Sequence, residues 1–103
     1  MTNYNNLVHS FRADPREIPT APINGSIPKW FYVYEHQDEV YISSGKEHPN
    51  ACRVNPARKL SPEEFPVMLD LYQRRISGEH VSREAAKQSM NQSYWFGIMK
   101  ELY

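Results

Sequence analysis

His48 and Cys52 stand four residues apart in GKEHPNACRVNPARK, where two metal-binding side chains come close in sequence. A structural zinc site takes four such ligands, commonly as two close pairs. The other histidines, His9, His36 and His80, supply no second pair, so no metal is expected. Cys52 beside Arg53 is a candidate reactive thiol, and a half-buried structural cysteine is the preferred reading. The acid pairs Asp38-Glu39 and Glu63-Glu64 have the spacing of acid–base chemistry. The second pair is already explained by a capping box, Ser61-Pro62-Glu63-Glu64, and the first lies in a turn, where acids are common. All four glycines are isolated, so there is no Gly-rich phosphate loop. No catalytic residue and no cofactor are assigned, and the chain reads as a non-enzyme. RVNPARK gathers Arg53, Arg58 and Lys59 without an acid and reads as a solvated basic loop.

Aromatic residues carry the stronger signal. They make up 13% of the chain, including seven Tyr and two Trp, more than a small sheet buries on one side. Such side chains are apolar bodies with polar tips and anchor protein interfaces. Trp30, Tyr32 and Tyr34 fall on one face of a period-2 run and Phe31 and Val33 on the other. Tyr94-Trp95-Phe96 spread through about 200° of a helix and cannot share one core face. Trp30, Tyr32, Tyr34, Tyr94 and Trp95 are the expected interface residues.

The elements that position these rings follow from local chemistry. WFYVYEHQDEVYIS is aromatic and β-branched around a polar centre, which predicts a hairpin over 30–43. A lone hairpin is marginal in water, so a third strand, Ala51–Val54, or a covering helix is required. Pro15, Pro19, Pro22 and Pro28, with an Asn24-Gly25 turn, exclude helix and central strand from the segment before it. Residues 1–28 are therefore expected as an extended Pro-rich arm and 29–103 as one small domain. Phe65, Met68, Leu69, Tyr72 and Ile76 share one face of a helix over about 62–77, with Gly78 as its stop. The fold class is α+β: a hairpin or small three-stranded antiparallel sheet, then two or three C-terminal helices.

SREAAKQSMNQSYWFGIMKELY, residues 82–103, carries two apolar clusters. With Ala85 as origin, Ala85, Ala86, Ser89 and Met90 centre near ~70°, and Trp95, Ile98, Met99 and Leu102 near ~260–270°. One straight helix buries only one of these faces unless a partner subunit covers the other. Two helices, about 83–90 and 92–102, are the expectation, with Ser82 capping the first and Asn91 or Ser93 the second. With the preceding helix this layout resembles a tri-helical helix-turn-helix domain, whose third helix enters the major groove. The resemblance implies Gln92, Ser93, Gly97 and Lys100 facing DNA, and Arg74, Arg75, Arg83 and Lys87 on phosphates. It departs from the usual pattern at Met90-Asn91, where a Gly often sits. Residues 79–103 also hold three bases and three acids, a weak footprint for a polyanion.

The totals set limits on all of this. The chain has 103 residues, enough for one domain with one core. Twelve bases balance twelve acids, six of each in residues 1–58 and six in residues 59–103, so no half has the excess charge of a strong phosphate binder. A single cysteine excludes an internal disulfide, and MTNYNNLVHSF lacks the pattern of a signal peptide, which together suggest a cytoplasmic protein. No membrane span is expected. The sequence-based expectation is a non-enzymatic protein-interaction module that pairs with a protein or itself, as a homodimer, through its aromatic surface. A helix-turn-helix DNA-binding regulator is the alternative.

Overall fold

The computed structural model describes residues 3–22 and 27–103. The elements in chain order are α1 (Tyr4–Ala13), β1 (Arg16–Pro19), β2 (Trp30–His36), β3 (Glu39–Ser44), β4 (Arg58–Leu60), α2 (Glu64–Ile76), α3 (Ser82–Gln88) and α4 (Gln92–Leu102). The fold is α+β, with a four-stranded antiparallel sheet in the order β1-β2-β3-β4.

The expected extended arm is corrected by the structure. Its first part is helix α1, capped by the Asn3 side chain, which accepts from the Asn6 amide. Leu7, Val8 and Phe11 lie on one side of that helix and are buried. Burying three apolar side chains outweighs the polar composition that suggested an arm, since each contributes roughly 1.5–3 kcal/mol. The Pro-rich segment that follows supplies edge strand β1, where Pro19 costs no ladder bond on the solvent side. The expected Asn24-Gly25 turn lies outside the described residues.

The hairpin turns on Gln37 and Asp38, both at positive φ (51° and 63°). Two such residues make the turn whose twist matches paired strands, here without glycine. The Asp38 amide donates to Glu35 Oε2 at 2.9 Å, and Arg12 of α1 binds both carboxylates from outside. The expected third strand at Ala51–Val54 makes only a single parallel bridge, Ala51 to Trp30. The sheet is instead completed by β1 and β4 on opposite edges. Only Leu60 of β4 is buried, so this strand carries almost no hydrophobic pattern to read.

The inner face of the sheet presents Ile18, Phe31, Val33, Val40, Ile42 and Leu60, all buried. Helices α1 and α4 pack against it, and α2 and α3 pack in turn on α4. Helix α2 starts later than the capping box implied. Glu64 accepts nothing at the helix start; its Oε1 takes the Trp95 indole N–H at 3.0 Å and the Ser89 hydroxyl at 3.1 Å. SPEE forms a preceding turn, with the Glu64 amide on the Ser61 carbonyl. Gly78, at φ 99°, ends α2. The chain breaks again at Ser89, whose backbone is extended, and α4 begins at Gln92, so residues 82–103 form two helices. Neither N-cap follows the side-chain expectation, since Val81 precedes α3 and the Asn91 side chain makes no cap bond.

Candidate functional site

Strand pleat and register together build a ring surface on the outer face of the sheet. Residues directly opposite in an antiparallel ladder point the same way. Tyr34 is opposite Tyr41 and Tyr32 opposite Ser43, while Glu17 of β1 faces Tyr32 and Lys59 of β4 faces Tyr41. All of these therefore stand on the side away from the core. The three tyrosine rings lean together: Tyr32–Tyr34 centroids are 5.7 Å apart at 27°, and Tyr34–Tyr41 centroids 5.6 Å apart at 15°. Each tyrosine is partly exposed, and among the described residues no helix lies over them.

One end of this row opens into a bowl of about 480 Å³ lined by Glu17, Tyr32, Tyr34, Ser43, Ser44, Lys46 and Glu47. That volume falls within the range of small-ligand sites, roughly 300–1,000 Å³. A second concavity of about 350 Å³ shares Ser43, Ser44 and Lys46 with it and adds Arg53 and Asn55. The 45–52 loop forms the wall. It is laced to the start of β2 by Trp30 N–H to the Asn50 carbonyl, Cys52 N–H to the Trp30 carbonyl, and Gly45 N–H to the Cys52 carbonyl. Gly45 is required there, because a β-carbon would sit 2.4 Å from the Trp30 carbonyl oxygen.

Glu17 fixes the loop from below. Its side chain is only 3% exposed, and it accepts the amides of Lys46 (2.6 Å) and Glu47 (2.8 Å) and meets His48 Nδ1 at 2.9 Å. Burial alone would raise its pKa, but the His48 bond and the two backbone donors outweigh it and hold the carboxyl at about 2. The His48 ring then lies flat on Trp30, 3.7 Å between centroids at 6°. One face of the Trp30 indole is thereby covered.

Several residues expected at an interface are placed elsewhere. Trp95 is fully buried, in contact with Phe65. Tyr94 is half-buried with its ring edge on Phe31, and its hydroxyl is 3.0 Å from Cys52 Sγ; burial first and this contact second push its pKa up to about 12. Of the five expected residues, the structure groups Trp30, Tyr32 and Tyr34. Tyr41 joins them across the hairpin.

The helix-turn-helix layout meets a steric obstacle. Gly97 is buried against β1, where a β-carbon would lie 2.5 Å from the Pro19 carbonyl oxygen. It therefore cannot face DNA in this fold. Arg74 is engaged with Glu79 and Glu84, and Arg75 donates to the carbonyls of Ala21 and Pro22 while lying over the Phe96 ring. Gln92 and Ser93 are partly exposed; Lys100, Arg83 and Lys87 are exposed. These last three have no ion-pair partner among the described residues. In the basic loop, Arg58 donates to Asn91 Oδ1 and Lys59 pairs with Glu39 at 3.0 Å.

Glu17, Lys46 and Tyr41 were not singled out as site residues from sequence. No protein-family model matches the chain, and neither a curated protein nor a solved structure shows detectable similarity to it. No helix among the described residues is long and apolar enough to cross a membrane.

Proposed function

We propose that the protein is a non-enzymatic interaction module whose working surface is the outer face of its sheet. The observation that carries this reading is the row Tyr32–Tyr34–Tyr41, three partly exposed rings held in register on a rigid scaffold. Rings ordered by packing lose little freedom on binding, which makes them effective anchors. The groups considered for chemistry support the same reading. Cys52 is turned onto Tyr94, Asp38 onto Arg12, and Glu63 onto Ser61, so each is engaged in a structural contact. On α4, the other surface considered, Gly97 lies in the interior.

Tyr34→Ala tests the surface whatever occupies it, because Tyr34 is the middle ring. Self-association, read by sedimentation velocity across the micromolar range, and oligonucleotide binding, read by anisotropy, are both measured. Any interaction of the chain should weaken in Tyr34→Ala and persist in Arg83→Ala, on the opposite, helical side. An interaction that ignores Tyr34 and depends on Arg83 would overturn the assignment.

A further inference from the structure

We infer that the concavity between the ends of α2 and α4 is a binding site for a small organic anion, a carboxylate or phosphate on a compact apolar body. It shares no residue with the tyrosine row and goes beyond the reading of that face. Its volume is about 300 Å³, at the small end of the range for ligand sites, and its walls include Thr20, Pro28, Tyr72, Arg75, Ile76 and Lys100. Tyr72, Arg75 and Ile76 stand at i, i+3 and i+4 and so share one face of α2. The core closes on that face as far as Tyr72, whose ring centroid lies 6.2 Å from that of Phe96. One turn later Ile76 is 67% exposed and gives the site an apolar wall.

Charge decides the class of ligand. Among the described residues the lining holds two cations, Arg75 and Lys100, and no carboxylate. The acids that follow Ile76 and Lys100 in the chain are engaged elsewhere, Glu79 with Arg74 at 3.0 Å and Glu101 with Arg16 at 3.2 Å. Arg75 bonds the carbonyls of Ala21 and Pro22, neutral acceptors that fix the guanidinium without cancelling its charge. Two of its five N–H groups are used in this way, which leaves three. Lys100 is exposed and has no ion-pair partner among the described residues. Hydroxyl donors stand beside the cations. Thr20 Oγ1 accepts the Lys29 amide and keeps its own proton to donate. The Tyr72 hydroxyl has no partner among the described residues, and because no buried polar atom there lacks one, it reaches solvent. Bases in a last turn are favoured by helix C-termini in any case. That preference does not account for two of them meeting hydroxyl donors and an uncovered isoleucine in one concavity without an acid. A cationic ligand would be repelled there, and a neutral one would leave both charges unmatched.

The test is an amide NMR titration of the isotope-labelled protein with benzoate, phenyl phosphate, benzyl alcohol and inorganic phosphate. Benzoate or phenyl phosphate should shift the amides of Thr20, Ile76 and Lys100 saturably and leave those of Tyr32 and Tyr34 in place. Whichever of the two binds more tightly identifies the head group. Benzyl alcohol, a similar ring without the charge, should bind about tenfold more weakly or worse, since charge-assisted hydrogen bonds are lost. Lys100→Glu should weaken binding by about tenfold or more, and Lys100→Arg should retain it. Ile76→Asp should weaken binding as well. Both side chains are exposed, so these variants should melt like wild type, and Tyr34→Ala should bind the anion unchanged.

Absence of a saturable shift with either organic anion, even at low salt, would overturn the inference, as would benzyl alcohol binding as tightly as benzoate. Inorganic phosphate binding as tightly as phenyl phosphate would also overturn it, in favour of a bare anion. If Lys100→Glu and Ile76→Asp leave affinity unchanged, the bases serve the helix ends alone and the inference falls. Shifts confined to Tyr32, Tyr34 and Lys46 would move the ligand to the bowl and overturn this site while leaving the sheet face standing. Conversely, a sheet face that binds nothing does not touch this site, so the two readings fail separately.

Discussion

Gly97 on α4 and Pro19 on β1 are in backbone contact: a β-carbon at Gly97 would lie 2.5 Å from the Pro19 carbonyl oxygen and 3.1 Å from Thr20 Cα. The last helix is therefore clamped to the sheet edge at Gly97, one of the four residues that the helix-turn-helix layout would have to expose. Trp95, Phe96, Ile98 and Met99, fully buried around it, make α4 the central strut of the core. The sheet's outer face is left as the surface with ordered aromatic rings.

Gly97→Ala should destabilise the fold by about 2 kcal/mol or more. Alanine gains about 1 kcal/mol of helix propensity, but the clash is with backbone, which cannot rotate away, and overpacking typically costs about 1–3 kcal/mol. Gly78→Ala is the comparison. Nothing lies within 4 Å of its β-carbon position, and its cost, about 1 kcal/mol, comes from φ of 99° alone. Thermal unfolding of the two variants should rank them in that order.

Glu17 should govern part of the acid limb of stability. Its carboxyl titrates at about 2 in the fold, below its ordinary value of 4.5. The folded state therefore binds fewer protons than the unfolded one, and the stabilisation is complete above pH of about 4.5 and lost as pH falls toward about 2. Glu17→Gln should lower stability at neutral pH by about 1–3 kcal/mol, since two backbone donors then lose a charged acceptor. The same variant should unfold with a flatter dependence on acid, followed by denaturant titration at several pH values. An unchanged acid limb would mean that the loop is not held through this carboxylate.

Trp95→Phe should cost about 3 kcal/mol. The change shrinks a fully buried ring and removes the N–H that Glu64 Oε1 accepts, leaving that oxygen with the Ser89 hydroxyl. Glu64→Leu made together with Trp95→Phe should be less destabilising than the sum of the two single changes, because the carboxylate that loses its indole partner disappears. Chemical denaturation of the four proteins closes this cycle, and additive costs would deny the coupling.

Tyr34→Ala should leave stability nearly unchanged, within about 1 kcal/mol, because the ring contributes cross-strand contacts with Tyr41 and Tyr32 and none to the core. A loss of several kcal/mol would show the row to be structural. Circular dichroism melts separate these outcomes before any binding experiment.

Much of the scaffold was legible because its signals are local. The hairpin, the α2 face through Phe65, Met68 and Tyr72, the stop at Gly78 and the break between α3 and α4 were read from signals within one element or at its end, although Ile76, Ala86 and Met90, assigned to apolar faces, are exposed. The tyrosine row was half legible. Tyr32 and Tyr34 share a face by alternation alone, but pairing Tyr34 with Tyr41 required the turn to be placed on Gln37 and Asp38. Neither residue is a glycine, so the polar EHQDE stretch marked a turn without fixing it on these two residues.

Helix α1 and strands β1 and β4 were missed for a different reason. Their local sequences are short, polar or Pro-rich, and they are stabilised by what they touch. Arg12 reaches Glu35 and Asp38 across the hairpin, Tyr4 donates its hydroxyl proton to the Leu60 carbonyl, and that same hydroxyl accepts the Val40 amide. The capping-box reading of Glu64 failed likewise, because a carboxylate free to cap its own helix was taken by an indole 31 residues away.

By itself, then, the sequence determined the element types wherever a hydrophobic period ran for two turns or four strand residues. It also determined that three aromatic residues, Trp30, Tyr32 and Tyr34, share one side of β2. Only the tertiary structure decided which side of each element is inside. Trp95 went to the core and Tyr34 to the surface, although their side chains are similarly aromatic and amphipathic. Burial is settled by which faces the sheet and helices can close on one another, a long-range competition. Here α1 and α4 closed on the Phe31–Val33 side of the sheet and left the tyrosine side open.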